Sequence, residues 1–447
     1  MSDGRTLSPA DLAELSAAGI DAAEALHQLA FLENPPARLR LLRPATAGDG
    51  VLRLPPEREE ELVERGRAAR DAGRLTKFVP ASGAATRMFR AVLGREAADA
   101  QETAATLAAL PGTAIGREIA RRAGTTPLAD WFLSSEGQAF AALPKALLPF
   151  HLEDGTLRTA FDDQIAEGLW YLTDRDGRTR FHFTVPAEFR SEFTAVRTQW
   201  RERVGAGLEI GFSEQLPSTR AIALDPSGAV ARQADGRLLL RPSGHGALLD
   251  NLARLGDDGA DLVLIKNIDN ILPPSRHREI ARTRLLLLGV LLEREERRTD
   301  RSRPLRACAV VANSGEPGGG PFWVAGKDGR PSLQIVESAE VNLADDDQAA
   351  IWQGSTHFNP VDLAVSLRAA DGRPFDLRRF VDPDRAFVAG KSEGPRRLRV
   401  YERPGLWNGA MADWETIFVE LPAWTFAPVK TLLDLARPEH RVAAPSD

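Results

Sequence analysis

The stretch that decides the fold is Asp261-Leu262-Val263-Leu264-Ile265, followed at once by Lys266-Asn267-Ile268-Asp269-Asn270. Its first half is a nearly continuous apolar run, which is typical of a strand that is buried on both faces of a sheet. Its second half is polar and places the carboxylate of Asp269 just beyond the strand. Because ligands of open α/β sheets bind beyond the carboxyl ends of the strands, Asp269 is a candidate binding residue.

Two more segments predict strands of the same sheet. Lys77-Phe78-Val79-Pro80 is a short apolar stretch, and residues 181–185 follow a charged turn. Helical patterns of about 10 to 20 residues lie between the predicted strands, and such alternation indicates a layered α/β fold with a mainly parallel, mixed sheet. We assign residues 71–447 to this α/β domain.

Residues 1–70 predict an N-terminal helical extension. Ser8 and Pro9 supply an N-cap followed by proline at the first helical position. A second helix is predicted from Pro56 to Arg70. Neither helix carries a pattern that indicates chemistry, so we expect this segment to serve packing.

Composition and charge exclude several classes of protein. The 447 residues contain 57 Lys+Arg against 63 Asp+Glu, which gives a formal net charge of −6. This acidity argues against a protein whose main function is to bind nucleic acid. No apolar run approaches the ~20 residues that a membrane span needs. The single cysteine, Cys308, excludes an internal disulfide framework, and we expect a cytoplasmic protein without a membrane partner.

Lysine is scarce in this chain, and its positions are informative. Arginine dominance of this kind usually reflects the nucleotide composition of the genome. A lysine that remains indicates a place where a compact ammonium is needed and a planar guanidinium does not fit, although chance retention at the surface is the alternative. The six lysines are Lys77, Lys145, Lys266, Lys327, Lys391 and Lys430.

The segment after the first strand predicts a phosphate-binding loop. Ser82-Gly83-Ala84-Ala85-Thr86 contains only small side chains, and Arg87 follows where we expect a helix to begin. Small side chains let backbone N–H groups approach phosphate oxygens, and a helix N-terminus adds partial positive charge. Tight packing of a strand against a helix explains the small residues equally well. The pattern matches neither the P-loop nor the dinucleotide-binding fingerprint.

Several polar residues elsewhere are candidates for the same site. Lys145 follows a proline in apolar surroundings and is either a point charge for a phosphate or a surface lysine. Asp269 is suited to a hard cation such as Mg²⁺, and Asn359 and Asp362 compete as its second protein ligand. Lys430 ends a short predicted strand.

A second group of candidates lies between residues 240 and 360. The turn Gly244-His245-Gly246 precedes a helix and is placed to contact a base or ribose, while a structural hydrogen bond is the commoner role for an isolated histidine. Glu337 ends a strand-like segment.

Taken in order, these segments resemble the UDP-sugar pyrophosphorylase group of nucleotidyltransferases. The resemblance covers roughly residues 77–435 and rests on six elements. They are Ser82-Gly83-Ala84-Ala85-Thr86-Arg87, Pro144-Lys145, Pro242-Ser243-Gly244-His245-Gly246, Asn267-Ile268-Asp269-Asn270, Phe358-Asn359 and Pro428-Val429-Lys430-Thr431. The chain as a whole, and the segment Gly405–Met411 above all, resembles an uncharacterised bacterial family (domain of unknown function, DUF 4301).

The resemblance implies a three-layer nucleotidyltransferase (GT-A-like) fold and a Mg²⁺-dependent sugar-1-phosphate nucleotidyltransferase. It implies catalytic roles on phosphates for Arg87, Lys145 and Lys430, and a metal-binding role for Asp269. The resemblance further places the nucleotide on two loops and the sugar on two side chains. The nucleotide-binding residues are Ser82, Gly83, Ala84, Ala85, Thr86, Gly244, His245 and Gly246, and the substrate-binding residues are Glu337 and Asn359.

The sequence departs from the family pattern in two places. Ser82 and Ala85 replace glycines of the first loop, and the given sequence ends soon after Pro438, before the C-terminal β-helix module that many relatives carry. Two alternatives therefore remain beside the nucleotidyltransferase. They are a glycosyltransferase that uses a nucleotide sugar and a non-catalytic protein that binds a nucleotide or sugar phosphate. The nucleotide, the sugar and the oligomeric state are not specified by the sequence.

Overall fold

A computed structural model describes residues 7–93, 100–313, 315, 318–326, 329–393 and 396–440. Its α-helices are α1 (Pro9–Ala17), α2 (Ala22–Glu33), α3 (Pro56–Asp71), α4 (Ala100–Ala109), α5 (Ala114–Ala123), α6 (Leu128–Leu133), α7 (Ser135–Ala141), α8 (Ala160–Leu172), α9 (Arg190–Val204), α10 (Leu249–Asp257), α11 (His277–Arg297) and α12 (Asp346–Gln353).

The strands of the described residues are short, and most belong to one sheet. They are β1 (Leu41–Pro44), β2 (Thr46–Ala47), β3 (Gly50–Leu52), β4 (Leu75–Pro80), β5 (Pro149–Glu153), β6 (Thr156–Thr159), β7 (Thr179–Thr184), β8 (Leu208–Ser213), β9 (Ala223–Leu224), β10 (Leu262–Lys266), β11 (Leu305–Ala312), β12 (Gly320–Ala325), β13 (Pro331–Val336), β14 (His357–Phe358), β15 (Asp362–Ser366), β16 (Phe387–Glu393), β17 (Arg396–Glu402) and β18 (Glu415–Glu420).

The central sheet is mixed but mainly parallel. Its order is β2-β3-β18-β11-β15-β10-β4-β7-β8, with β14 paired to the end of β11. Strand β15 runs antiparallel to both of its neighbours, β10 and β11, and the other pairings along this path are parallel. The predicted α/β class and mainly parallel mixed sheet are therefore confirmed. The carboxyl ends of β4, β10, β11 and β18 consequently lie along one edge, where a ligand site is expected.

Strand β10 shows why its sequence is apolar throughout. Leu262 and Leu264 join the hydrophobic core on one face of the sheet, which also contains residues of α3, α8 and α11. Val263 and Ile265 join the core on the other face, with residues of α10 and of the 406–414 segment. Side chains alternate between the faces of a strand, so a strand covered on both sides needs an apolar residue at each position. The result is a three-layer arrangement.

The N-terminal segment is more than a helical extension. Its helices form as predicted, and α1 begins at a capping box on Ser8. However, β3 pairs in parallel with β18 in the central sheet, and β1 pairs with β12. These strands were not predicted because they are only two to four residues long.

Helix α3 is an integral part of the core layer. A Cβ atom on Gly66 of α3 would lie 2.2 Å from the carbonyl oxygen of Leu285, and one on Gly289 of α11 would lie 1.9 Å from that of Leu62. The two backbones thus approach each other through reciprocal glycines.

Of the described helices, none is long and apolar enough to cross a membrane, α11 included.

The helix expected after the small-residue loop is not seen at that position. Residues 86–92 form successive turns, and the first α-helix described after β4 is α4. The Ala85 N–H donates to the Leu143 carbonyl (3.0 Å), and Met88 and Phe89 are buried in the core. The backbone is tied to a neighbouring segment, so it does not build a regular helix, and no helix dipole supports the 82–86 loop within residues 82–93.

Candidate active site

Three charged side chains from distant parts of the sequence meet at the carboxyl edge of the sheet. Lys145 Nζ lies 2.8 Å from Asp269 Oδ2, and Lys430 Nζ lies 3.1 and 2.9 Å from Oδ1 and Oδ2 of the same carboxylate. Lys145 also donates to the carbonyl oxygen of Val429 (3.0 Å). One carboxylate therefore holds two ammonium groups, and this centre carries a net charge of +1.

Backbone hydrogen bonds hold these residues in place. The Val429 N–H donates to the carbonyl oxygen of Asp269 (2.9 Å), and the Ala427 N–H donates to Asn270 Oδ1 (3.2 Å). On the other side, the Lys145 N–H donates to the Gly83 carbonyl (3.1 Å). The small-residue loop, the proline-lysine turn and the 427–430 segment are thus fixed to one another around Asp269.

The charge state of Asp269 follows from these contacts. The residue is only 6% exposed, and burial alone would raise its pKa. The ammonium groups of Lys430 and Lys145 outweigh this effect and lower the pKa of Asp269 below its usual value. The carboxylate is ionised at neutral pH and fixes the positions of both lysines, while the Lys430 side chain stays 47% exposed to whatever enters the cleft.

Arg87 borders the same region. It lines a small cavity of about 200 Å³ together with Lys430 and Thr431, and its own side chain is exposed. Gly83, Ala84 and Thr86 of the small-residue loop are exposed as well, and a Cβ on Gly83 would meet nothing within 4 Å. The structure therefore brings Arg87, Lys145, Asp269 and Lys430 together, and their predicted roles remain predictions.

The predicted sugar-binding residues lie farther along the same edge. The ring of Phe358 contacts that of Phe426, with centroids 5.0 Å apart, next to the 427–430 segment. The Asn359 N–H donates to the Gly319 carbonyl (2.8 Å), and a Cβ on Gly319 would lie 3.3 Å from Glu337 Cγ. Phe426 and Phe358 therefore connect the 427–430 segment with Asn359, and Gly319 connects Asn359 with Glu337. The Asn359 amide itself donates to the Ala309 carbonyl (2.8 Å).

The structure gives the 404–411 segment a role that its sequence did not reveal. Trp407 stacks on the ring of His245, with centroids 4.0 Å apart and planes 15° apart, and donates its Nε1–H to Glu337 (3.2 Å). The Leu406 N–H donates to His245 Nδ1 (3.0 Å). Burial lowers the pKa of His245 to about 4, so the ring is neutral at pH 7, and burial raises the pKa of Glu337. The Nδ1 atom of His245 is thus used by the Leu406 N–H, and one face of its ring is covered by Trp407.

We expect Gly246→Ala to lower the free energy of unfolding by about 1–3 kcal/mol, as overpacking of a rigid contact does. The new Cβ would lie 2.1 Å from the carbonyl oxygen of Pro404 and 3.0 Å from that of Arg403, so it would meet backbone atoms rather than the end of a flexible side chain. Urea unfolding measures the effect. Gly390→Ala is the control, because a Cβ on Gly390 meets nothing within 4 Å. Equal stability of the two variants would show that the two loops do not interlock.

Lys77 and Lys266 do not face the cleft. Both are buried below the edge and share Glu167 of α8, at 3.2 Å from Lys77 Nζ to Oε1 and 2.5 Å from Lys266 Nζ to Oε2. Gln164, one turn earlier, donates to the carbonyl oxygen of Asn267 (2.9 Å). The two lysines and Gln164 therefore fix β4, β10 and the loop that carries Asp269. These partners on α8 were not predicted from the sequence. Asp163 and Glu167, four residues apart on a largely apolar helix, are nevertheless a pattern that indicates buried carboxylates in need of partners.

The two candidates for a second metal ligand are occupied within the protein. Asp362 forms a buried ion pair with Arg284, and Asn359 Oδ1 accepts from the Val361 N–H (3.1 Å). Among the described residues, no three His, Cys, Asp or Glu side chains converge as a metal site. Asp269 is the carboxylate at the centre of the site, and both of its oxygens accept hydrogen bonds from the lysine ammonium groups.

A buried histidine pair fixes the C-terminal segment beside the cleft. His151 lies 2.6 Å from Asp163 Oδ2 through Nδ1 and 2.9 Å from His440 Nδ1 through Nε2. Arg158 Nε donates to the other oxygen of Asp163 (2.8 Å). Burial, together with the neighbouring His151, lowers the pKa of His440 to about 3.

Because the pKa of His440 is low, we expect the free energy of unfolding to decrease as the pH decreases. Between pH 6.5 and 3 the unfolded chain binds a proton that folded His440 does not, so unfolding becomes easier by up to about 1.4 kcal/mol per pH unit. We expect His440→Phe to lose less stability between pH 7 and pH 5 than the unchanged protein, measured by urea unfolding. His27→Phe, at an exposed histidine, serves as control. Parallel curves for the His440 variant and the unchanged protein would contradict the prediction.

Several solved structures share the fold of this protein. A uridine diphosphate N-acetylglucosamine pyrophosphorylase from Trypanosoma brucei matches with a TM-score of 0.55 at 16% identity, over 96% of this chain and 79% of the other. A UDP-glucose phosphorylase from the same organism matches with 0.55 at 15% identity, over 97% and 80%. A mutant UDP-glucose pyrophosphorylase from Leishmania major, in complex with UDP-glucose, matches with 0.52 at 16% identity, over 98% and 82%. The protein is thus UDP-sugar pyrophosphorylase-like in fold.

The chain belongs to the family described as a domain of unknown function, DUF4301. The family model matches residues 8–112, 115–301 and 297–441. Both parts of the resemblance that the sequence suggested are therefore confirmed. No curated protein matches the chain.

Proposed function

We propose that this protein is a nucleotidyltransferase that joins a nucleoside triphosphate to a sugar-1-phosphate, or to a similar phosphorylated metabolite, and releases pyrophosphate. The observation that carries the proposal is the pair of lysines on Asp269 at the ligand-binding edge of the sheet. Both reactants are anions that repel each other, and ammonium groups held at fixed positions offset that repulsion. The shared fold supports the same class of reaction.

The proposed chemistry needs no proton transfer at its centre. An ionised oxygen of the sugar phosphate attacks the α-phosphorus, a new P–O bond forms, and the bond between the α-phosphorus and the bridging oxygen breaks to release pyrophosphate. Lys430, the more exposed cation, contacts the attacking phosphate, and Lys145 neutralises the α-phosphate. Arg87 and the 82–86 backbone bind the leaving phosphates. These roles agree with the positions of the four groups around one cleft.

We also propose a Mg²⁺ ion as cofactor. When bound through Asp269, it supplies further neutralisation of phosphate charge. Asp269 would then orient metal and lysines alike. Glu337 is proposed to bind sugar hydroxyls, and residues 244–246 to bind the base and ribose of the nucleotide. Asn359, the other predicted sugar-binding residue, is 2% exposed and its amide is engaged by Ala309 and Val361, so we propose that it supports the site from behind.

The test is a matrix of nucleoside triphosphates against sugar-1-phosphates, with UTP as the first choice because related structures bind UDP-glucose. We expect pyrophosphate release for one combination in the presence of Mg²⁺. Asp269→Asn keeps the shape and removes the charge, and it should abolish release. A folded protein that transfers sugar from a nucleotide sugar without forming pyrophosphate would be a glycosyltransferase. Ligand-induced thermal stabilisation without any product would indicate a binding protein.

A further inference from the structure

A second, larger cavity lies at the opposite edge of the central sheet. It encloses about 940 Å³, within the size range of small-molecule sites. Its lining residues include Arg303, which precedes β11, and Trp414, which precedes β18. Arg40 and Trp323 line it as well. The proposed active site lies beyond the carboxyl ends of these strands, so the two sites occupy opposite ends of β11 and β18.

Of the described residues that line the cavity, five are arginines and five are carboxylates, so their formal charges balance, but two of the arginines have no partner. Among the described residues, neither the Arg40 nor the Arg303 guanidinium has a hydrogen-bond acceptor or an ion-pair partner, and both side chains are exposed. Arg38 also lines the cavity and uses one N–H for the carbonyl oxygen of Ala339. Asp413 is the lining carboxylate for which the described part of the chain offers no cation, whereas Glu415 is paired with Arg294 outside the cavity.

A chain of buried hydrogen bonds leads from this cavity to the loop around His245. Arg385 lines the cavity, is only 5% exposed and donates to Glu340 (2.8 Å). The second oxygen of Glu340 accepts from Asn408 Nδ2 (2.9 Å) and from the Glu337 N–H (2.8 Å). Asn408 directly follows Trp407, which stacks on His245. A displacement of Arg385 would therefore act through Glu340 on the Glu337 N–H and on Asn408, the residue next to Trp407.

We propose that this cavity is a second ligand site, for a phosphate ester of a sugar or nucleoside, and that its occupation is transmitted to His245 and Glu337 through Arg385 and Glu340. Guanidinium groups bind phosphate oxygens through paired N–H donors. Arg38, Arg40 and Arg303 are three of the arginines that line the cavity. The volume exceeds that of a bare ion and leaves room for the sugar or nucleoside part of the ligand. The binding of this ligand is independent of the chemistry at Asp269, whereas its transmission rests on the proposed binding of a nucleotide by residues 244–246.

Calorimetric titration of the full chain tests the binding site. The probes are inorganic phosphate, glucose 6-phosphate and uridine monophosphate, which separate the phosphate from the sugar and from the nucleoside. We expect Arg40→Ala/Arg303→Ala to lose one binding event per chain, or to weaken it at least about tenfold, for one of the two esters. Arg373→Ala, whose side chain is 84% exposed, is the control and should bind as the unchanged protein does. Equal stoichiometry and affinity in both variants would overturn the proposal.

The coupling has its own measurement. We expect a saturating concentration of the cavity ligand to change the Kd of UTP at least about fivefold, and this change should vanish in Arg40→Ala/Arg303→Ala. Ligand binding with no effect on UTP would refute the transmission through Arg385. Because the binding titration needs no turnover, failure of the pyrophosphate assay and failure of this proposal are distinguishable.

Discussion

Lys430→Ala is expected to lower kcat for pyrophosphate release by about 10²–10³-fold, since removal of one preorganised group that stabilises transition-state charge has this effect. The side chain is 47% exposed and its removal leaves Asp269 paired with Lys145 at 2.8 Å, so the fold should be retained. Steady-state kinetics with the substrate pair found in the matrix would measure the loss. The effect should lie mainly in kcat, because the attacking phosphate is held most strongly during bond formation.

Two further variants make this result specific. Lys430→Arg keeps the charge but replaces a compact ammonium with a planar guanidinium, and we expect it to restore only part of the activity. Arg373→Ala removes an exposed cation that pairs with Asp371 and should change nothing. If Lys430→Ala retained full kcat with a correct substrate pair, Lys430 would have no role in the chemistry.

Glu167→Gln is expected to lower the free energy of unfolding by about 3–5 kcal/mol, because it leaves buried charges without their partner. Lys77 is fully buried and Lys266 is 2% exposed, and both rely on this carboxylate. Burial already lowers the pKa of Lys77 to about 7, so the ammonium pays a large desolvation cost even with Glu167 present. Urea unfolding at pH 7 measures the loss.

A double-mutant cycle identifies the cause of this loss. Lys77→Met/Glu167→Gln should be less destabilised than the sum of its single variants, because one uncompensated charge is removed. Glu60→Gln is the control, since this glutamate is 58% exposed and pairs with Arg282 at the surface, so its loss should change stability far less. Additive effects in the cycle would show that Lys77 and Glu167 do not interact.

The single variant also has a predicted pH dependence. In Glu167→Gln the folded pKa of Lys77 lies further below its unfolded value, so the unfolded state binds more protons above neutral pH. The unchanged protein also gains stability as the pH rises from 7 towards 10, because its Lys77 pKa is already about 7, and in the variant this gain should begin below pH 7. A flat profile would mean that Lys77 finds another acceptor.

Local patterns in the sequence were sufficient for the main elements of the fold. The apolar run in β10 predicted a strand with two buried faces, and its alternate residues do pack into the two cores. The polar residues after β10 and the motif order led to the UDP-sugar pyrophosphorylase resemblance, whose fold the solved structures share. The segment Gly405–Met411 and the chain as a whole led to DUF4301, which the family match confirms. The helix expected after Ala85 was wrong, because long-range contacts to residues 143–145 fix that backbone, and such contacts leave no local pattern.

The sequence by itself determined the α/β class, the family and the identity of the chemically distinctive residues, because buried strands and scarce residue types are local properties of a chain. Only the tertiary structure decided how each distinctive residue is used. It separated Lys145 and Lys430, which share Asp269 at the cleft, from Lys77 and Lys266, which share Glu167 inside the core. These partners lie 90 or more positions apart in the sequence. They are chosen by packing and by the cost of burying an unpaired charge, and neither quantity can be evaluated until the chain is folded.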